Sequence, residues 1–305
     1  MKTSSEKQNS ACKNNVTDQL AEEIEQHVID NQWRNLKQFT SARIALGRAG
    51  NSIPTDESLD FQLDHARAID AVHKALDIEA LYQQVTSETE LQQVFPTDPF
   101  VVNSKARDRM EYLQRPDLGR QLNEHSWQTL LDHSSHVQEG YDLAVVVADG
   151  LSSKAIQNHA TNFLTKLLSK LANDENHNWT FAPLTIVSQG RVAVGDDVGE
   201  CLKAKITIIL IGERPGLTSP DSMGLYMTWN PKRGALDSGR NCISNIRPEG
   251  LDYDEASEKA YYLIRESMRL NISGINLKDR SLDNDDQALD CDEDTHFLVA
   301  QRTPL

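Results

Sequence analysis

The chain has 305 residues, of which 38% are hydrophobic and only 6% aromatic. With 31 basic against 46 acidic side chains, its formal net charge of −15 argues against nucleic acid or an anionic membrane as a partner. No apolar run is long enough to cross a bilayer and no signal peptide opens the chain, so we expect a soluble, cytoplasmic protein.

The N-terminal part of the chain is predicted to be a helical extension. Residues 1–16 are polar and predicted to be disordered, and from Thr17 an amphipathic stripe of Leu20, Ile24 and Val28 begins. This stripe is equally compatible with docking on a partner and with packing on its own domain. A second helix is predicted to begin near Thr55, with apolar residues at three- and four-residue steps as far as Leu76. We therefore interpret residues 17–130 as mainly helical.

Residues 131–277 are predicted to form an α/β core, because strands and helices alternate there. The predicted strands are 143–148, 184–187, 206–211 and 222–229. The predicted helices are 153–171, with Ser152 or Ser153 as its N-cap, 198–204 and 254–270. The fold class is therefore α/β: a Rossmann-like, mostly parallel sheet with helices on both faces, preceded by the helical extension.

The C-terminal segment 278–305 is predicted to be an acidic, disordered tail. Residues 278–296 hold eight acidic and two basic side chains, for a net charge of −6. Such a segment buries too little apolar surface to offset the entropy lost on ordering.

Three short segments, 190–192, 212–216 and 241–245, follow or interrupt predicted strands and are interpreted as loops. In open α/β sheets ligands bind where the strands end, because backbone amides and loop side chains converge there. Glu213, Arg191 and Arg214 at such an edge suit a polar ligand with many hydrogen-bonding groups. Ordinary tight turns with solvated charges explain each segment taken alone.

Other candidate sites give weaker signals. Asp149-Gly150 before a helix could cradle an anion with its backbone amides, although a structural turn is the favoured interpretation. His133 and His136 are spaced for a metal if helical, but solvated histidines in a polar loop are favoured. His65 and His73 lie eight residues apart on the second helix, with no carboxylate partner that spacing identifies.

The four cysteines are widely spaced, without a C-x-x-C pair, which fits a reducing compartment. Cys242 follows Arg240 closely, and a positive neighbour can lower the pKa of a thiol and make it reactive. We favour a packing role instead, because no histidine lies near it in sequence to act as a base.

Seven segments, in order along the chain, resemble the small subunit of ethanolamine ammonia-lyase. They are SARIALGRAG (41–50), RPDLGR (115–120), VVVADGLSSKAI (145–156), QGRVAVGDDVGE (189–200), ILIGERPGL (209–217), RNCISNI (240–246) and SGINL (273–277). The resemblance covers about residues 35–277, and the two ends of the chain lie outside it.

The resemblance implies an adenosylcobalamin-dependent carbon–nitrogen lyase that converts ethanolamine to acetaldehyde and ammonia. In this family the large subunit carries the substrate site, and the cobalamin lies between the two subunits. The family's cobalamin contacts fall here on Val192, Glu213 and Cys242. No catalytic residue and no metal ligand are expected in this chain. The family also makes placement in a bacterial microcompartment plausible.

Two further observations bear on this expectation. The motif D-x-H-x-x-G, with which other cobalamin proteins supply an axial histidine, is absent, so this chain should not provide the axial ligand. The alternative to a cofactor-clamping subunit is a self-contained nucleotide-binding enzyme such as a dehydrogenase. The lack of a G-x-G-x-x-G fingerprint after a strand argues against that alternative.

Overall fold

Helices and strands alternate through the residues that the computed structural model describes, which are 28–29, 32–40, 42–95 and 97–281. The strands are β1 (Val28–Ile29), β2 (Arg48–Ala49), β3 (Phe100–Asn103), β4 (Leu143–Ala148), β5 (Thr185–Ser188), β6 (Ile206–Gly212), β7 (Met223–Trp229) and β8 (Arg240–Ile246). The α-helices are α1 (Thr55–His73), α2 (Ile78–Ser87), α3 (Thr89–Val94), α4 (Arg109–Gln114), α5 (Glu124–Ser135), α6 (Ser153–Ala172), α7 (Val194–Cys201) and α8 (Tyr253–Leu270).

The central sheet has six strands in the order β3-β5-β4-β6-β7-β8. The first four strands are parallel to one another, whereas β7 runs antiparallel to β6 and to β8. Tyr226 of β7 lies opposite Ile209 of β6 and opposite Cys242 of β8. The predicted mostly parallel sheet is therefore confirmed, with an antiparallel pair added at one side.

Apolar cores cover both faces of this sheet. All six residues of β4 are buried, as expected for a central parallel strand. Val145 and Val147 belong to the core that contains Phe163 of α6 and Ile264 of α8. The alternate residues of β4 belong to a second core, with side chains of α5 and α7. Because successive side chains of a strand point to opposite faces, the predicted helices on both faces are confirmed.

Capping residues set several helix ends. The side chain of Ser152 accepts a hydrogen bond from Ala155 N–H, so α6 begins where the sequence predicts. Helix α7 begins at Val194, four residues before the prediction, although it contains two glycines of low helix propensity. These glycines permit close packing, since a Cβ at Gly199 would lie 1.9 Å from Thr207 Oγ1. The sheet contact thus outweighs local propensity.

The N-terminal part contains the predicted helix α1, which ends at His73 rather than at Leu76. The apolar residues Leu59, Leu63 and Ile69 of this helix are exposed, whereas the apolar stripe of an amphipathic helix usually faces the core. The predictions for residues 1–16, for the stripe from Thr17 and for most of the tail 278–305 lie outside the described residues. The division of the core from the helical region at residue 130 stays a prediction. Among the described residues, no helix is long and apolar enough to span a membrane.

Candidate functional site

The parallel strands β4, β5 and β6 end at one edge of the sheet, and the segments after them, 149–151, 189–192 and 213–217, are named here the carboxyl edge. The Asp149 carboxylate joins two of these segments, because Gln189 N–H and Gly190 N–H donate to its two oxygens at 3.1 and 2.9 Å. Gln189 lies in the left-handed region, with φ of 56°, which turns the chain sharply after β5. Hydrogen bonds to Asp149 therefore hold two segments of the carboxyl edge together.

Burial raises the pKa of Asp149 from 3.8 to about 6, against the opposing effects of Arg109 and the backbone N–H donors. Arg109 Nη1 lies 3.4 Å from its carboxylate and donates to Gly150 O at 2.7 Å. The same guanidinium donates from Nε to Val72 O at 2.8 Å. Arg109 therefore connects α1 and α4 to the carboxyl edge.

The turn at Asp149-Gly150 serves packing rather than anion binding. Gly150 has φ of 59°, and a Cβ there would lie 2.2 Å from Gly212 O, so only glycine fits. Leu151 N–H donates to Gly212 O at 2.9 Å, which joins the ends of β4 and β6. Ser152 donates its hydroxyl to Pro220 O at 2.7 Å. These contacts support the structural interpretation of this turn.

The Glu213 carboxylate lies where β6, β7 and β8 meet. Its Oε2 accepts hydrogen bonds from the Ser222 hydroxyl and, at 3.2 Å, from Asn245 N–H. Its Oε1 lies over Gly224, where a Cβ would approach it to 2.9 Å. Among the described residues no hydrogen-bond donor reaches Oε1. Glu213 is half-buried, and its Oε2 is thus fixed by internal hydrogen bonds, whereas its Oε1 is left to accept hydrogen bonds from a ligand.

Cys242 lies on strand β8, and its placement in a loop was wrong. The segment Arg240–Ile246 pairs with β7, so it is a polar edge strand rather than a turn. Cys242 is an exposed residue, and its thiol forms a hydrogen bond with the side chain of Tyr226. Desolvation raises the pKa of the thiol and Glu213 adds to this effect, while a hydrogen bond with Tyr226 opposes it. The geometry therefore does not supply a reactive thiolate.

The positive neighbour of Cys242 is already engaged elsewhere. Arg240 is buried, and its guanidinium contacts the carboxylates of Asp196 and Asp237. It also donates to Ala235 O at 3.0 Å. Arg240 therefore fixes β8 to α7 and to the loop before β8.

Val192, the remaining predicted contact residue, is half-buried just before α7. It packs against the core that contains Ile209 and Ile211 of β6, and Tyr226 packs against the same core. Glu213 continues this alternation beyond the end of β6 and covers Gly224 on the same side. The structure thus brings the predicted contact residues Val192, Glu213 and Cys242 to one face of the sheet.

The predicted site residues are spread along this face rather than clustered. By the register, Cys242 lies opposite Tyr226 and two strands away from Ile209, and Ile209 precedes Glu213 by four residues, which is about 13 Å along the strand at the usual rise per residue.

His133 has a structural place. His133 lies in the last turn of α5 rather than in a loop, and its Nε2 is 3.3 Å from the Tyr141 hydroxyl. Its ring packs edge-on against Phe100. Within the part of the chain that the structure describes, no group of three or more His, Cys, Asp or Glu side chains is placed to hold a metal ion.

The sequence analysis assigned no role at the site to four residues: Ser222, Gly224, Tyr226 and Asn245. The first and last hold Glu213, and Tyr226 lies between Glu213 and Cys242. Gly224 carried a usable signal, because glycine within a predicted strand often marks a close approach. The others are ordinary strand and turn residues until the pairing of β6, β7 and β8 is known.

Comparisons with known proteins agree on one family. Residues 30–278 match the family model for the ethanolamine ammonia-lyase light chain (EutC). The chain is 52% identical over 263 residues to the ethanolamine ammonia-lyase small subunit of Pseudomonas putida F1, covering 85% of this chain and 93% of that protein. It is 49% identical over 271 residues to the small subunit from Pseudomonas fluorescens Pf-5, covering 87% and 95%. With the small subunit from Pseudomonas syringae pv. tomato DC3000 it shares 48% identity over 282 residues, covering 91% and 95%.

Proposed function

Because the chain belongs to the ethanolamine ammonia-lyase light-chain family, we propose that it is the small subunit of a heteromeric ammonia-lyase that converts ethanolamine to acetaldehyde and ammonia. Its partner is the large subunit, which holds the substrate, and its cofactor is adenosylcobalamin at the interface of the two. The names of the relatives support the reaction and the subunit role. The alternative of a self-contained dehydrogenase has no support from these relatives.

The side chains at the proposed cofactor site fit a corrinoid. Cobalamin has a broad apolar ring with amide side chains at its rim, so it needs apolar contact and hydrogen-bond acceptors together. Val192 offers a half-buried apolar surface, and Glu213 offers the open Oε1. Cys242 adds a compact, polarizable sulfur on the exposed edge strand. The single observation that carries the proposal is the Glu213 carboxylate, whose Oε2 accepts internal hydrogen bonds and whose Oε1 accepts none from the described residues.

The role of this chain is to bind and position rather than to react. Adenosylcobalamin, when bound, supplies the radical chemistry of the reaction. Glu213 accepts hydrogen bonds from rim amides of the ring, and its charge strengthens them. Val192 and the neighbouring apolar core help to exclude water from this wall of the site. The raised pKa of Cys242 suits a contact residue and not a nucleophile.

The test is co-expression of the full chain with a candidate large subunit, followed by an assay with ethanolamine and adenosylcobalamin. We expect turnover by the complex that requires both the cofactor and this chain. The chain alone should show no turnover and should bind cobalamin weakly, because it forms only one wall of the site. Turnover of ethanolamine by the chain alone would contradict the division of labour.

Placement in a bacterial microcompartment is a separate proposal, supported by the family resemblance. Its test is fusion of residues 1–30 to a fluorescent protein in a host that forms such compartments. Punctate fluorescence that follows the shell is expected. Diffuse fluorescence from this fusion and from the full-length fusion would reject the placement.

A further inference from the structure

Strand β8 is the last strand of the central sheet, and its outer edge is open in the part of the chain that the structure describes. Beyond the pairing with β7, no backbone hydrogen bond among these residues reaches 241–244. Alternate residues of an antiparallel strand point their N–H and C=O groups away from the partner strand. A row of unpaired donors and acceptors therefore faces outward along β8, and such a row is a template for one more strand.

The usual protection of an edge strand is missing from the exposed side chains of β8. Natural edge strands carry lysine or proline, or another segment of the protein covers them. The exposed residues of β8 are Cys242, Ser244 and Asn245, none of which carries lysine's charge or proline's ring. The irregularity in the pairing with β7 lies beyond Ile243, towards the end of the strand. The middle of the edge is therefore free to pair with another segment.

A groove of about 660 Å³ lies along this open edge. The segment 241–245 of β8 forms one side of it, and its apolar lining includes Leu251 and, on α8, Leu263. Five residues of a strand span about 17 Å at the usual rise per residue. The groove thus combines free backbone groups with apolar surface, the two features by which a sheet edge binds an extended peptide.

The chain passes along this groove where the described residues end. Asn241 of β8 donates its side-chain amide to Leu277 O at 2.8 Å, and Asp279 lines the groove itself. Residues 282–295, fully extended, reach about 46 Å at about 3.3 Å per residue, whereas β8 is about 24 Å long. Residues after 295 can therefore reach either end of this edge.

The end of the tail differs in composition from the acidic stretch before it. The last acidic side chain is Asp294, and residues 295–305 contain none. They begin with Thr-His-Phe-Leu-Val-Ala (295–300), in which threonine, phenylalanine and valine favour strands. The residues 296–300 equal in number the residues of β8 that line the groove. The family match ends at residue 278, so this segment lies outside the part of the chain that the family shares.

We propose that residues 296–300 add to the edge of β8 as a seventh strand of the central sheet, within the same chain. Phe297 and Val299 lie on the face of α8, where Leu263 lines the groove, because alternate residues of a strand share a face. Leu298 then lies on the opposite face, which is the face of Cys242. The added strand covers the open edge and keeps two copies of the chain from pairing edge to edge.

The first test is hydrogen exchange of the full chain, measured by mass spectrometry. The variant is Phe297→Asp, and Leu289→Asp is the matched control, because Leu289 is a leucine of the acidic stretch. In wild type and in the control, the amides of 296–300 should exchange about 10-fold or more slowly than in Phe297→Asp. Wild-type exchange of 296–300 at the rate of an unstructured peptide would overturn the proposal.

The second test supplies the strand as a separate molecule. A fluorescent peptide of residues 293–303 is titrated with the full-length Phe297→Asp chain and read by anisotropy. A short linker gives an effective concentration of about 1 mM, so a dissociation constant of about 0.1 mM or tighter keeps the tail about 90% docked. Wild-type chain should bind the peptide about 10-fold more weakly, because its own tail competes. Equal binding by both chains, or binding of a peptide that itself carries Phe297→Asp, would contradict the proposal.

The third test locates the strand with Cys242 as the probe, in a chain whose N-terminal and tail cysteines are replaced by serine. Three substitutions lie on the face of Cys242: His296→Cys, Leu298→Cys and Ala300→Cys. Under mild oxidation with copper phenanthroline, one of these three should form a disulfide with Cys242. Val299→Cys, on the other face, and Leu289→Cys, in the acidic stretch, should not.

The remaining outcomes are decisive as well. Disulfides from all five positions alike, or from none, would reject β8 as the location. A tail-dependent dimer in sedimentation would make a second copy the occupant and overturn docking within one chain. None of these measurements involves ethanolamine or cobalamin, so this inference and the proposed function stand or fall separately.

Discussion

Replacement of Glu213 separates its internal hydrogen-bonding role from its proposed role toward the cofactor. Glu213→Ala removes the acceptor for Ser222 and Asn245, two hydrogen bonds worth about 1 kcal/mol each, so the free energy of unfolding should fall by about 2 kcal/mol. It also leaves the donors of the cofactor unpaired, at about 1–3 kcal/mol. The dissociation constant for cobalamin should therefore rise by about one to two orders of magnitude.

Two milder variants divide this effect. In Glu213→Gln the amide oxygen can keep the internal hydrogen bonds or turn to the cofactor, so its cobalamin affinity should fall between alanine and wild type. Gly224→Ala keeps the charge but places a Cβ 2.9 Å from Oε1, which must shift the carboxylate. A loss of about 3- to 10-fold in affinity is expected, by analogy with a weakened hydrogen bond. Gly239→Ala is the matched control, because its Cβ would meet nothing within 4 Å.

The assay is a pair of titrations on the reconstituted complex, one with cobalamin and one with ethanolamine. The KM for ethanolamine should move little, because the large subunit holds the substrate in the proposed function. Normal cofactor affinity with impaired ethanolamine saturation would refute the reasoning, since it would place Glu213 in a different site. A Gly224→Ala complex with wild-type cofactor affinity would show that Oε1 is not a contact.

Three further predictions concern stability. Because the pKa of Asp149 is about 6 in the fold against 3.8 otherwise, wild-type stability should fall as pH rises through this window. Asp149→Asn lacks the carboxyl group that titrates, so its stability should not fall in this way. In urea unfolding, its free energy of unfolding relative to wild type should rise by up to about 3 kcal/mol between pH 4 and pH 7. A difference between variant and wild type that does not change with pH would contradict this. Arg240→Met should cost about 3–5 kcal/mol by leaving buried Asp196 unpaired, and Asp196→Leu added to it should recover part of the loss in the same assay. Removal of residues 282–305 should leave pull-down of the large subunit unchanged, and loss of the partner on truncation would make the tail an interaction element. Leu277→Ala, by contrast, should lower the free energy of unfolding by about 2–3 kcal/mol, because Leu277 is buried.

The central strands could be predicted from sequence because burial on both faces leaves a plain signal. The runs at β4 and β6 are almost wholly apolar and β-branched, and β6 is buried at all of its residues. Short helices such as α2 and α3 were not predicted, since each has only one or two buried apolar residues. Their positions depend on packing against α6, which no local pattern records.

The proposed contact residues were predicted by resemblance, but their geometry was only partly predictable. Glu213 lies at the predicted edge because a buried strand ends directly before it. Cys242 was misplaced because β8 is an edge strand with exposed asparagine and serine residues, types with low strand propensity. Its pairing with β7 is a long-range contact, and it overrides local preference. The partners of Glu213 follow from that same pairing.

The exposure of the site residues gives a physical reason for two subunits. Glu213 and Val192 are half-buried and Cys242 is exposed, so the surface around them can form only one side of an enclosed ligand site. A radical cofactor needs a dry enclosure, because water and solutes quench or divert reactive intermediates. An open sheet edge cannot provide that enclosure by itself, whereas a second surface placed over this face can. In the proposed function, the Oε1 of Glu213 is therefore a group whose hydrogen-bond partner arrives with the cofactor.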